Sequence, residues 1–310
     1  MSQGGPVAAP RSRARASGRS LLFGLSAAFL MVAAWEIYRR WVGPALGAKG
    51  NEVGTLFGWK VFPRTSSNLA MPPVQTMVEE IGKPEVRGSG TSVLEAVLQV
   101  TLMSLWLAIA ALALGALVGL GVAVLMSRFK IVQRGLMPYL VVSQTIPLIA
   151  LAPLTVTWGG EISLFGFEWQ KWTSAVVLGA FLSFFPIAIG ATRGFASPSA
   201  ASLELMDSYA SSWWSTWWRL RLPASVPFLL PALRLAGSAA VFGVVVSEIS
   251  VGYTEGIGYL TLNYLTEGTA RPAKVFSAVF GTIALGLLMA AAVGFLDRFL
   301  GRRRPQQELA

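Results

Sequence analysis

Apolar positions in this chain gather into long runs instead of alternating with polar ones. The first covers Leu21 to Trp41, interrupted by Glu36, Arg39 and Arg40 near its far end. Five more follow, at Leu98 to Met126, Leu136 to Trp158, Thr173 to Ile189, Val226 to Ile249 and Val275 to Leu296. Each is near or above the length that crosses a hydrocarbon core of about 30 Å at about 1.5 Å of helical rise per residue. A span in lipid must be helical, because only a helix or a closed barrel satisfies its own backbone there. The pattern therefore predicts an all-α integral membrane protein of about six transmembrane helices. Gly115 and Gly119 in the second run have the small-xxx-small spacing that lets a neighbouring helix approach closely.

The polar segments set the organisation. Residues 1–20 carry Arg11, Arg13, Arg15 and Arg19 among small residues and read as a disordered basic arm. A basic start before an apolar run also describes a signal peptide, with Val32-Ala33-Ala34 as a mimic of a cleavage site. The run continues through Trp35, Ile37 and Tyr38, which favours a retained first helix over 21–41. Residues 42–92 form the longest polar stretch, rich in turn residues, and read as an extracytoplasmic linker. A five-helix core over 93–300 and a tail over 301–310 complete the division. With both termini cytoplasmic, the inner side collects the four arginines of the arm. It also collects Arg128, Lys130, Arg134, Arg193, Arg219, Arg221, Arg234, Arg298 and Arg302 to Arg304, as the positive-inside bias requires.

Composition agrees and removes several functions. The 310 residues are 54% hydrophobic and 13% charged, with a mean hydropathy of +0.59, well short of the roughly 25% charge of a soluble surface. The net charge of +10 is scattered among apolar spans, which fits anionic lipid and argues against nucleic acid. Cysteine and histidine are both absent, which excludes disulfides, thiolate nucleophiles, His-dependent triads and the commonest metal ligands. No metal site is expected. The chain holds no G-x-x-x-x-G-K-[ST] loop, and its membrane carboxylates show no paired spacing. It is not expected to be an enzyme.

Two segments stand out. LELMDSYASSWWSTWWRLRLP, Leu203 to Pro223, is polar between two apolar runs and holds four tryptophans. On a helix turning about 100° per residue, Trp213, Trp214, Trp217 and Trp218 share one face, with the Ser, Thr and Arg residues opposite. This predicts an amphipathic helix too short to span, lying in the headgroup zone or an interhelical groove and ended by Pro223. In the third run, Gln144, Thr145 and Pro147 interrupt the apolar pattern, and with Pro153 they suit a kinked helix lining a cavity or simply a packing kink. Glu248 lies near the outer end of its span. A carboxylate there is costly unless paired or wet, so it is either on a substrate path, a cap of an outer loop, or a partner of a base such as Lys274.

The order of these residues resembles the permease subunits of ABC importers in the sulfonate, taurine and nitrate branch. Glu204, Ala210 six positions on, the amphipathic helix, Arg-Leu-Pro and a further proline resemble that family's EAA loop. QTIPLIALAPL (144–154), LPASVPFLLPALRLA (222–236), VVSEI (245–249) and GIGYL (256–260) follow in the branch's order, and NLAMPPVQTMVEEI (68–81) is similar to its segment ahead of the second span. The resemblance implies a multi-pass protein of the bacterial cytoplasmic membrane that moves a small solute inward. It implies work as a dimer, a homodimer by expectation, with separate ATP-binding subunits inside and a solute-binding protein outside. ATP and magnesium would be bound by the ATPase, and this chain would carry no cofactor. Cytoplasmic coupling helices between spans 4 and 5 would dock on the ATPase within a loop over 198–223. The candidate coupling residues are Glu204, Asp207, Ala210, Trp213, Trp214, Arg219, Arg221 and Pro223. Gln144, Thr145, Pro147 and Glu248 are candidates for the substrate path. The family's loop glycine is replaced by Ala210 and its alanines by Leu205 and Met206, and the loop 159–172 is longer than usual. Taurine, other sulfonates, nitrate, bicarbonate and thiamine-related pyrimidines are all compatible solutes. An ion-coupled carrier acting alone is the alternative, disfavoured by spans whose centres hold almost no ionisable relay, and a membrane assembly protein is another.

Overall fold

The computed structural model describes residues 24–42 apart from 25 and 28, then 54–56, 59–62, 71–86, 90–164, 166–267 and 271–301. The expected basic arm, most of the tail and parts of the linker lie outside these residues. Helix α1 (24–42) closes in a π-turn at Tyr38–Val42. Strands β1 (Gly54–Leu56) and β2 (Trp59–Phe62) form an antiparallel hairpin, and α2 (Val74–Ile81) follows. Then come α3 (Val93–Arg128), α4 (Lys130–Ser143), α5 (Leu148–Gly159), a second hairpin of β3 (Ser163–Leu164) and β4 (Phe167–Glu168), and α6 (Lys171–Phe195). The last elements are α7 (Ala200–Ser208), α8 (Trp213–Val251), α9 (Ile257–Glu267) and α10 (Pro272–Gly301).

The chain divides into two compact units. The smaller comprises Met1–Glu80 with Thr269–Ala273 and the larger Ile81–Gly268 with Lys274–Ala310. In the smaller unit the charges that interrupt the first apolar run have structural work. Glu36 accepts the Val74 N–H at 2.9 Å, which satisfies an orphan donor at the start of α2, and it pairs with Arg40 at 2.9 Å. Arg39 and Trp35 donate to the carbonyls of Met71 and Pro72. Glu80 and Arg271 form a salt bridge.

The larger unit is built on α6, which packs along both α3 and α8. A Cβ added at Gly115 of α3 would meet Ser183 Oγ at 2.0 Å, and one at Gly119 would meet the Phe184 carbonyl at 2.8 Å. The spacing noted in the sequence thus serves the α3–α6 contact. On the other flank Gly243 of α8 faces Gly179 of α6, where a Cβ would lie 2.8 Å from the Gly179 Cα. Around these contacts Leu107, Ala111, Leu178, Ala240 and Val244 are buried. Tight backbone approach replaces the hydrophobic drive that lipid removes.

Among the described residues four helices are long and apolar enough to span a membrane: α3, α6, α8 and α10. The third predicted span is not one kinked helix. It breaks at Gln144–Pro147 into α4 and α5, which meet at 104°. Pro147 has no N–H and sits at the N-cap of α5 with φ −68°, so the first helix cannot run through it. Pro153 lies inside α5.

Substituting Gly243 by leucine should force α8 away from α6 and cost on the order of 3 kcal/mol. Thermal unfolding of the detergent-purified protein should show a clear fall in midpoint for Gly243→Leu. Gly121→Leu on the same scaffold should leave the midpoint nearly unchanged, since nothing lies within 4 Å of its added Cβ.

Candidate functional site

The segment joining α6 to α8 is built from caps. Ser199 opens α7 by accepting the Ser202 N–H at 3.2 Å. The far end of α7 closes in a Schellman turn: Ser211 N–H donates to the Met206 carbonyl and Ala210 N–H to that of Asp207. Ala210 holds the left-handed position with φ 49°, and among the described residues it is the one non-glycine there. The geometry gives a physical reason for a glycine at this point in related loops. Ser212 then caps the next helix by accepting the Ser215 N–H at 3.3 Å.

That next helix does not stop at Pro223. A π-turn over Trp217–Arg221 carries it into the long helix, and α8 runs unbroken from Trp213 to Val251. The Leu222 N–H reaches back five residues to the Trp217 carbonyl. The wider turn gives the Pro223 ring room, and a residue expected to end the helix lies inside it instead, at the start of the α-helical stretch that follows the π-turn.

The tryptophans divide. Trp217 is 8% exposed and packs edge-on against Phe195, and Trp213 is half-buried beside it with the Arg128 guanidinium 5.4 Å from its ring centre. Trp214 and Trp218 are 58% and 60% exposed. The split runs within each pair: Trp213 and Trp217 face the core, and Trp214 and Trp218, about 100° further round the helix, face outward, so the single face expected from the sequence becomes two. Arg221 donates to the Phe195 carbonyl at 2.9 Å and so ties the start of α8 to the end of α6. Glu204, Asp207, Arg219 and Pro223 are exposed, with Glu204 and Asp207 three residues apart on one face of α7. Nothing in the residue pattern marks the parts of Arg128 and Phe195. Their signal, a cation and an aromatic ring at the two span ends nearest the loop, becomes meaningful only once the helices are placed.

At the other end of α8, Glu248 is fully buried and takes the capping role. Its Oε2 accepts the Gly258 N–H at 2.8 Å, and its Oε1 accepts the Ser104 hydroxyl proton at 2.6 Å. Ser104 in turn accepts the Ile257 N–H at 2.9 Å. Two orphan donors at the start of α9 are thereby satisfied by α8 and α3 together. Gly256 leaves room for the carboxylate, since a Cβ there would lie 2.2 Å from Glu248 Cδ. Lys274 does not reach Glu248; it pairs with Glu267 at 2.9 Å and lies 4.1 Å from the Tyr264 ring centre.

The break between α4 and α5 borders an open cavity of about 390 Å³ walled by α6 and α8. Gln144 lines it, together with Pro186, Arg193, Pro227, Phe228 and Pro231. Thr145 and Pro147 are exposed at the same break, where the Thr145 hydroxyl donates to the Val142 carbonyl at 2.7 Å. Glu248 is not in the cavity lining, so the four substrate-path candidates do not converge on one point. Among the described residues no group of His, Cys, Asp and Glu could hold a metal.

Replacing Ala210 by glycine should relieve the left-handed strain and raise stability by about 1 kcal/mol. Glu248→Ala should cost on the order of 3 kcal/mol, because it strands the Gly258 N–H and the Ser104 hydroxyl in a dry interior. Both changes are read as opposite shifts in the thermal unfolding midpoint of the purified protein.

Comparison with known proteins places this geometry. Residues 111–303 match the family described as binding-protein-dependent transport system inner membrane component. The chain is 34% identical to a formylaminopyrimidine transport permease protein of Halalkalibacterium halodurans over 63% of its own length and 74% of that protein. It is 32% identical to a probable ABC transporter permease protein of Haemophilus influenzae, covering 65% and 77% of the two chains. It is 29% identical to a putative aliphatic sulfonates transport permease of Bacillus subtilis, covering 63% and 66%. An amino acid ABC transporter crystal structure shares the fold, with a TM-score of 0.51 at 17% identity over 66% of this chain and 93% of that one. With its apolar helices, its broken span and this match over most of its core, the chain belongs to the binding-protein-dependent inner membrane components, the multi-pass permeases of bacterial ABC importers.

Proposed function

We propose that this chain moves a small solute into the cytoplasm as the transmembrane subunit of an ATP-driven importer. A separate ATPase would be coupled to it through residues 204–223. The observation that carries the reading is the continuity of α8, which joins the exposed caps beside α7 directly to a membrane-spanning helix. Glu204 and Asp207 on one side and Arg219 on the other offer charged groups to an ATPase surface, while Trp213, Trp217 and Arg221 hold the segment against the core. The fixed and the free faces of the segment are thus separate, as a docking element requires.

In this reading the core works as a dimer with two ATPase subunits inside and a solute-binding protein outside, and ATP and magnesium belong to the ATPase. The arm over 1–20 and the tail over 301–310 lie on the cytoplasmic side, and the linker over 42–92 outside. Relatives named for a formylaminopyrimidine, aliphatic sulfonates and nitrate keep two solute classes open, small oxyanion-bearing molecules and thiamine-related pyrimidines.

Reversing the charge in Glu204→Arg, or introducing Asp at exposed Trp214, should lower ATPase co-purification and ATP-driven uptake into proteoliposomes by at least about tenfold. The unfolding midpoint should stay within a few degrees, because both side chains are exposed. Uptake that persists without any ATPase, or that is unchanged in both variants, contradicts the coupling role.

A further inference from the structure

The hairpin of β3 and β4 has the make-up of a docking surface, and we infer that it seats a basic face of the extracytoplasmic solute-binding protein, through Glu161 and Glu168 with Ile162 and Phe167 beside them. This rests on the importer reading and adds where that partner docks and by what chemistry.

Stiffness comes first. The hairpin joins α5 to α6, at the end of α6 away from the tryptophan segment. Trp169 lies over Gly159, where an added Cβ would run into its ring, and its indole N–H donates to the buried Ser174 hydroxyl at 2.8 Å. Lys171, at the root of the hairpin, donates to the Gly252 carbonyl at 3.1 Å and ties that root to the end of α8. Gly166 supplies the left-handed residue of the turn, with φ 82°. A surface fixed before contact loses little conformational freedom on docking. The loop is also longer than in the branch this chain resembles, so what the chain shares with that branch does not account for the hairpin.

Charge comes second. Residues 159–170 hold two carboxylates and no base, in a chain of net charge +10. Several carboxylates elsewhere are used internally. Glu80 pairs with Arg271 and Glu267 with Lys274, while Glu85 and Glu255 accept tyrosine hydroxyls. Glu161 and Glu168 are exposed, and among the described residues they make neither an ion pair nor a side-chain hydrogen bond. Local stability does not explain them. Glu161 follows the C-terminus of α5, where the helix dipole disfavours an anion. An anionic lipid surface would repel both carboxylates, whereas a basic protein face attracts them. Between them in the chain, Ile162 and Phe167 are exposed. Phe167 is braced edge-on against Trp172 at 6.4 Å, and a held aromatic beside charges is the usual anchor of a protein interface.

The test uses the permease–ATPase complex in nanodiscs and the purified solute-binding protein of the same transporter, and follows association and dissociation by interferometry. Charges at an interface rim act mainly on approach. The double reversal Glu161→Lys with Glu168→Lys should therefore slow association at least about tenfold and change dissociation less than about threefold. Glu161→Gln with Glu168→Gln should remove most of the wild-type salt dependence between about 50 and 300 mM NaCl. Phe167→Ala should speed dissociation several-fold, and Glu95→Gln, an exposed carboxylate in the first turn of α3, should leave both rates unchanged. Because the chain has no cysteine, Ser163→Cys carrying a benzophenone label gives one crosslinking point on the hairpin. The expected product joins permease to binding protein. A permease–permease product, a lipid adduct alone, or unchanged rates in the double reversal would each overturn the assignment. The parent reading is judged separately, since basal ATPase activity and ATPase co-purification should match wild type in every variant. A complex that keeps its ATPase but ignores the hairpin charges defeats only the docking site, whereas a wild-type chain that binds no ATPase defeats the importer reading itself.

Discussion

Helix α6 can lie between α3 and α8 only because the facing residues have almost no side chain. Gly115 and Gly119 meet α6 on one flank, and Gly179 meets Gly243 on the other. In water such helices would be drawn together by excluding solvent from apolar surface. In lipid that term is nearly absent, so contact area and backbone proximity must do the work. The remaining architecture follows from this close triple. Once α6 is fixed, the ends of α3 and α8 are fixed too, and Arg128 comes within reach of Trp213 while Ser104 comes within reach of Glu248.

The two ends of α8 solve opposite problems by related means. At the Phe195 end a cation, Arg221, satisfies a carbonyl at the terminus of α6. At the Val251 end an anion, Glu248, satisfies an amide donor at the start of α9. Each charge matches the sign of the helix dipole it meets. Neither position is marked by solvent, and each connects elements distant in the chain, with Ser104 and Ile257 153 residues apart. A charged residue inside an apolar run can therefore be a fastener. It need not be a contact for whatever crosses.

Much of this was legible in the chain. Run lengths gave the helices, the glycine spacing gave a close packing face, and ordered short motifs gave the family. Three things were not legible, each for a local reason. Pro223 reads as a stop because a proline clashes with an α-turn, but a π-turn removes the clash and leaves no signature in composition. The break at Gln144 was visible as polarity, yet its 104° angle depends on how α5 packs and not on Pro147 alone. The tryptophan face split because neighbouring helical positions lie about 100° apart, and only one of each pair meets Phe195 and Arg128, which the sequence does not place. The alanine at 210 shows the reverse case, where a departure from a family pattern leaves the backbone conformation in place with a residue less suited to it.

The unbroken course of α8 has a mechanical consequence. A helix of 39 residues is about 58 Å long. Moved as one body, a tilt of about 5° around its midpoint would sweep each tip sideways by roughly 2.5 Å in opposite directions. Glu248 sits three residues from one tip and holds the first turn of α9 through hydrogen bonds that are lost beyond about 3.5 Å. A displacement of that size at the tryptophan tip would be felt as a broken or remade contact at the far one. An angle too small to notice at one side of the molecule is thereby turned into a choice between two bonding states at the other.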